Sequence, residues 1–570
     1  MTRLRSVRRL AALVLTTACA IGAAACSSSS ATSTPSTSAT SSVKSGGTLT
    51  YALDEDVDGF NVNYANDDEE VLREIIENVW PQVFVPTPNL KLELNTNYVT
   101  SATVTSTSPQ TVVYQINPKA TWSDGVPITA ADFIYNWEAQ SGNPKYKDVG
   151  GAVYLPTNTA GYDQIKSVTG SHGGKTVTVV FSKPFGDWQV LFSDLVPAHI
   201  AEKVGFNNGF QTFGASVKVS GGPYEIQSYT QGEDLVEVPN PTWWGKKPSL
   251  SKVVFRFILD DSQIPAAIEN GEVQLAEPAL ASLSFKDVVD SIPNTTTQVI
   301  AGLEFQHIDF NQANPYLALS DVRHAIADGT NRAELVQRIV APLTSSIAPL
   351  ENRIWMPIQP QYENTSGSYG DYSTTEAKSL LEAAGFKLGS DGYFQPDFGP
   401  EKGKDFTLTI STTSGVAVRS EIEQLFQADM KAIGIKIVIQ NYSANTLFGT
   451  VGPKGEFDLI EFAWVQTPFA SSSLSIYCSY TDASMCGENW DHYSDPQVDT
   501  LYSEALTTIN PTAAARLYND IDALLWKDMA TLPLFEQPDL YTWSTSYGNV
   551  EPNPSSYNIT WNAADWGLKA

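Results

Sequence analysis

The sequence predicts a mixed α/β protein. Runs rich in β-branched and aromatic residues alternate along the chain with amphipathic helical runs. No short internal repeat interrupts them. The 525 residues from Gly46 onward are enough for two or three domains with substantial cores.

Strands are expected at 48–53 (TLTYAL), 111–116 (TVVYQI), 176–181 (TVTVVF), 253–258 (VVFRFI) and 435–439 (IKIVI). Helices are expected at 68–80, 129–140, 321–339, 374–384, 418–433 and 512–529. Ser373 is placed to cap the 374–384 helix, with Glu376 in its first turn. Gly385 and Gly434 stand where helices end on a left-handed residue.

The first residues indicate export. Arg3, Arg5, Arg8 and Arg9 form a basic region, with no acid before Asp54. Residues 10–20 are mostly apolar, and Ala23-Ala24-Ala25-Cys26 follows, which makes 1–25 a signal peptide. The apolar run falls short of the roughly 20 residues a membrane helix needs. Cys26 after small residues resembles the bacterial lipobox cysteine, with Ala23 where a bulky residue is usual; Cys19 has a poorer context. Residues 26–45 then read as a lipidated tether, rich in Ser, Thr and Ala with little to bury.

Removing the four leader arginines leaves 31 basic against 63 acidic residues. Such acidity argues against nucleic acid or anionic lipid as a partner. Beyond the tether the cysteines are Cys478 and Cys486. An oxidising compartment would pair them as a disulfide, and a nearby His492 does not complete a metal set.

Catalytic constellations are missing. The chain has no phosphate loop, no G-x-S-x-G elbow and no H-E-x-x-H. His172, His199, His307, His324 and His492 are scattered, and acids are too abundant for any pair to stand out. No enzyme activity and no cofactor are expected. The 13 Trp, 24 Tyr and 24 Phe suit a ligand cleft, though many must pack the cores.

The segment Thr121-Trp122-Ser123-Asp124-Gly125-Val126-Pro127-Ile128-Thr129-Ala130-Ala131-Asp132-Phe133 resembles the signature of the family 5 extracellular solute-binding proteins, the peptide, nickel and related receptors of ABC importers. Physically, Asp124-Gly125 should turn, and Thr129 should cap a helix carrying Phe133, Tyr135 and Trp137 inward. Further segments are similar to the family in the same order. They are Gly222–Ile226 (GPYEI), Asn240–Gly245 (NPTWWG), 266–273 (AAIENGEV), 321–336 and 376–386.

The resemblance implies a bilobal α/β periplasmic-binding-protein fold with an extra subdomain. The main lobe would comprise 46–88, 196–305 and 535–570, the small subdomain 89–195 and the second lobe 306–534. Two crossing strands, near 306–311 and 532–535, would form the hinge. A monomer would then enclose an oligopeptide or peptide-like solute and dock on ABC permease subunits, with ATPases behind them. It would touch the membrane through its lipid anchor only. The resemblance also implies an alternative: a few actinobacterial members act as envelope lipoproteins regulating cell-wall glycolipid synthesis.

Peptide receptors of this family often hold the ligand ammonium with an Asp in a W-x-x-D-Y-like segment. Aligned on Trp464, that position falls here at Gln466 or Thr467, with Glu461 upstream as a substitute charge. The resemblance thus implies Trp464, Gln466, Thr467 and Glu461 as ligand-binding residues. Asn61, Asn63 and Trp490 join them as further candidates. For the anchor, Cys26→Ser should release the protein into the medium on cell fractionation; membrane retention would overturn the lipoprotein assignment.

Overall fold

The computed structural model describes residues 41–67, 69–278, 280–479, 486–555 and 558–570. The leader and Cys26 lie outside the described residues. Two long strands, Thr295–Phe310 and Thr531–Ser544, pair antiparallel in the middle of a ten-stranded sheet. Leu459–Val465, Thr407–Ser411 and Lys436–Ile439 extend the sheet on one side. Leu275–Ala276, Thr48–Leu53, Lys252–Phe257, Asp234–Pro239 and Tyr224–Thr230 extend it on the other.

The cores divide accordingly into two lobes. Tyr51, Trp80, Trp122, Phe255 and Trp566 belong to the first-lobe core. Phe310, Phe426, Trp526 and Phe535 belong to the second. Here helices Ala417–Ala432 and Pro511–Asp528 bury one face each, as their apolar spacing predicts. Asn510 caps the latter helix by accepting from Ala513 N–H at 3.0 Å, with Pro511 at the first helical position.

A buried polar anchor joins that helix to a crossing strand. Arg353 and Asp522 are both fully buried, with Nη1 3.4 Å from Oδ1. Arg353 Nη2 donates to the carbonyl of Thr531 at 2.6 Å, and its guanidinium lies 4.2 Å from the Trp526 ring centre. A pair buried this completely needs each remaining donor satisfied, and breaking it would strand a charge. It fixes where the Thr531–Ser544 strand begins.

The small subdomain is built on a four-stranded sheet of Val99–Thr107, Gln110–Ile116, Thr176–Phe181 and Ile165–Ser171, with helix Ala130–Gln140 packed on it. The signature behaves as its chemistry suggests. Gly125 adopts φ +88° in the turn, where a side chain would be strained. Thr129 N–H donates to Asp132 Oδ2 at 2.8 Å while Thr129 Oγ1 accepts from Ala131 N–H at 3.3 Å. Trp122 Nε1 donates to Asp132 Oδ1 at 3.2 Å, and Phe133, Tyr135 and Trp137 are buried.

Several expectations change. The 321–339 helix is interrupted: Ser320–Gly329 ends, and Arg332–Leu335 begins anew because Asn331 Oδ1 caps Glu334 N–H at 3.1 Å. The 68–80 helix shortens to Glu70–Ile76. The tether expected to run to Ser45 enters the fold sooner, since Val43–Lys44 pairs with Gly567–Lys569. The segments 306–311 and 532–535, expected at the hinge, belong to the two crossing strands, whose register shifts at two places, between Ala301 and Phe305, where Glu536 follows Pro538, and between Gln306 and His307.

The small subdomain and second lobe also touch directly. Gly186 N–H donates to the Leu506 carbonyl at 2.8 Å, and Ser471 N–H to Asp187 Oδ2 at 3.2 Å. A Cβ on Gly186 would sit 2.6 Å from the Thr508 carbonyl oxygen. Gly186→Val should therefore hold the lobes apart at this half-buried contact. Small-angle scattering should show a larger radius of gyration than wild type; an unchanged radius would mean the contact does not limit closure.

Candidate functional site

Where the crossing strands lose their pairing, a cavity of about 20 Å³ opens between the lobes. Its wall includes Leu303 and Glu304 from one crossing strand, Asp539 from the other, Val465 and Gln466 from the second lobe, and Glu70, Glu277 and Asn558 from the first. The break is a bulge, a device that re-aims side chains beside functional sites. Gly302 is required there: a Cβ would fall within 3 Å of all three terminal atoms of the Asp539 carboxyl group.

Four carboxylates thus converge from separate segments. Glu277 accepts a 3.4 Å hydrogen bond from the Tyr51 hydroxyl. The Asn558 amide stands between Glu277 and Glu74, with Nδ2 3.3 Å from Glu74 Oε1. Turned over, it would place Nδ2 3.0 Å from Glu277 Oε2 instead. Glu74 is only 6 % exposed, and its Oε2 has no hydrogen-bond partner.

Burial in this crowded region pushes Glu304 and Asp539 well above the usual carboxylate range, and Glu70 raises both further. Glu277 is likewise raised, first by burial and then by Glu74 and Asp539. Glu74 reaches about 8, driven by burial and only partly relieved by the Tyr51 hydroxyl. Desolvation disfavours the ionised form of each. Among the described residues no group of three or more His, Cys, Asp or Glu is arranged to hold a metal ion.

Of the residues the sequence singled out, Gln466 lines this cavity. It is 2 % exposed, and its Nε2 has no hydrogen-bond partner. Trp464 does not line it. Its ring stacks on His307 at 5.7 Å and meets Phe462 and Trp490 inside the second lobe. Trp490 packs there too, over Gly452.

Glu461 lies three residues from Trp464, so it faces the other side of the strand. It is fully buried, accepts from Thr412 Oγ1 at 2.8 Å, and is pushed up to about 7 by burial against the opposing pull of Arg419. Thr467 Oγ1 donates to the Phe469 carbonyl at 3.2 Å and shapes the following turn. Asn61 donates to the Phe206 carbonyl and Asn63 to that of Asp194, both at 2.8 Å, so each secures the first lobe from within. Cys478 and Cys486 are joined as a disulfide with Cα atoms 5.6 Å apart.

Sequence reasoning missed Glu70, Glu277, Glu304 and Asp539. One signal was available: Gly302, a lone glycine inside a strand pattern, which suggests a bulge or a close approach.

The model of the bacterial extracellular solute-binding proteins, family 5, matches residues 93–485. The chain is 28% identical over 503 residues to the oligopeptide-binding protein OppA of Mycobacterium tuberculosis, covering 87% of this chain and 81% of that one. It is 28% identical over 404 residues to the probable monoacyl phosphatidylinositol tetramannoside-binding protein LpqW of the same organism, covering 68% and 61%. Among solved structures, the periplasmic EDTA-binding protein EppA superposes with a TM-score of 0.86 at 28% identity, covering 93% of this chain and 98% of that one. The oligopeptide-binding protein AppA of Bacillus subtilis, in complex with a nonapeptide, shares the fold with a TM-score of 0.75 at 19% identity, covering 93% and 100%. The chain belongs to family 5 of the bacterial extracellular solute-binding proteins, a family of binding proteins rather than enzymes.

The raised carboxylates make stability depend on pH. Between about pH 4.5, where an unfolded Glu ionises, and about pH 8, Glu74 keeps its proton in the folded chain and loses it in the unfolded one. The folded state then binds more protons, so stability falls as pH rises through that window. The thermal midpoint should be higher near pH 5.5 than near pH 8. Glu74→Gln should flatten the slope by up to about 1.4 kcal/mol per pH unit; a variant with the wild-type slope would remove Glu74 from this account.

Proposed function

We propose that this chain is the lipid-anchored receptor of an ABC importer, held through Cys26 at the outer face of the cell membrane. It captures an oligopeptide or peptide-like solute between its lobes and hands it to the permease subunits. The observation that carries this reading is the placement of the cavity at the crossing strands, which at about 20 Å³ must widen to admit a peptide. Both lobes and both crossing strands supply its wall, so hinge motion opens or closes it. The similarity to an oligopeptide-binding protein over 87% of the chain supports the ligand class.

The wall also carries groups suited to a peptide. Gln466 offers an amide donor for a backbone carbonyl, while Leu303, Val465 and Pro554 supply apolar surface. The Asp expected near Trp464 is replaced by Gln466 and Thr467, and the acids of the cavity come from other segments.

A second reading is favoured by the similarity to a probable phosphatidylinositol mannoside-binding protein. On it, the same fold serves as an envelope lipoprotein regulating cell-wall glycolipid synthesis, with no transport. Native mass spectrometry of protein purified from its own cells separates the two. A ladder of retained peptides is the expected result; a retained glycolipid in their place would sink the importer reading.

A further inference from the structure

The cavity wall contains four acids, Glu70, Glu277, Glu304 and Asp539, and no basic residue. Behind them stands Glu74, buried and with one oxygen unpartnered. The cations acting on this group are Arg73, which draws Glu70, Glu74's neighbour Glu77 among them, and Arg419, which draws Glu304 and Glu461. Asp54 adds further negative charge to Glu70 and Glu74. Tyr51 and Tyr541 face the same acids as neutral hydroxyls. Acids outnumber basic residues here, and burial holds them protonated, so a cation that entered would take the place of their protons.

An independent feature of the same wall is Gln466. Its Nε2 is a donor with no acceptor in a side chain that is 98 % buried, lining the cavity. A buried donor left unmade costs roughly 1–3 kcal/mol. An oxygen acceptor brought by a ligand would satisfy it. The site therefore asks for a molecule that carries positive charge and a carbonyl together.

Metal ions do not meet that description, and the described acids lack the geometry to ligate one. The small volume of the cavity favours a compact charge. A lysine-type ammonium is a point charge with three donors, whereas a guanidinium is a broad planar fork.

Resting on the peptide-receptor reading, we propose that this cavity receives the ammonium of a lysine-type side chain, making the chain a receptor for basic peptides. The ammonium sits among Glu304, Asp539 and Glu277, and a peptide carbonyl accepts from Gln466 Nε2. The acids come from the first lobe and the crossing strands and Gln466 from the second lobe, so closing the lobes around the ligand brings the amide donor to the peptide carbonyl.

The test is titration calorimetry of the purified full chain with three tetrapeptides, Ala-Ala-Ala-Ala, Ala-Lys-Lys-Ala and Ala-Arg-Arg-Ala. Lysine should bind at least about tenfold tighter than alanine, the scale of one charge-assisted hydrogen bond, with arginine between them. In the double variant Glu304→Gln, Asp539→Asn the ratio of lysine to alanine affinity should fall towards one, with thermal unfolding used to check that the variant folds. Equal affinity of wild type for lysine and alanine peptides overturns the proposal and leaves the peptide reading standing. A lysine preference that survives in the folded double variant overturns it too. Binding of none of the peptides overturns the peptide reading as well.

Discussion

The two lobes share one antiparallel pair of strands, and the rest of the molecule is arranged around that constraint. Thr295–Phe310 and Thr531–Ser544 each run through both lobes. Their far ends are pinned. Arg353 holds the carbonyl of Thr531, and Arg323 holds that of Met529 just before it, with Nε 2.8 Å from the oxygen. At the other end Leu275–Ala276 pairs with 542–543 and ties the strand into the first-lobe sheet. Between these ends the ladder is irregular at two places, Ala301/Phe305 and Gln306/His307.

The first of these irregularities and the cavity share one piece of chain. The bulge that interrupts the backbone hydrogen bonds also turns Glu304 towards Asp539. Any rotation of one lobe against the other changes the spacing of these carboxylates. Burial holds them protonated unless they stand apart in water or take up a cation. A ligand shifts the balance between open and closed forms only by binding one of them better. Charge pairing at the bulge would supply such a difference.

Features set by neighbouring residues were legible in the sequence. Thr129 and Asp132 form a capping box, Ser373 caps its helix through Glu376 N–H, and Gly385 and Gly434 take positive φ. Each depends on groups a few residues apart, so spacing alone identifies it. The interruption at Asn331 was harder, because the apolar period continues across it while the side chain begins a new helix. The acid cavity was not legible at all. Glu70, Glu277, Glu304 and Asp539 are separated by the length of the chain, in a sequence with 63 acids. For Trp464, position in a familiar segment suggested ligand contact, and the structure adds what the sequence did not show, its ring packing with His307, Phe462 and Trp490.

The contact between the small subdomain and the second lobe has a kinetic meaning. Gly186 and Ser471 contribute main-chain N–H groups, one to a carbonyl and one to Asp187, each exchangeable with water. If a solute leaves by separation of the lobes, this seam must break first. Residence time would then be set by how often these two hydrogen bonds break together, however tightly the acids hold their guest. Any surface that grips the lobes and pries this seam apart would release cargo quickly without weakening a single interaction inside the cleft.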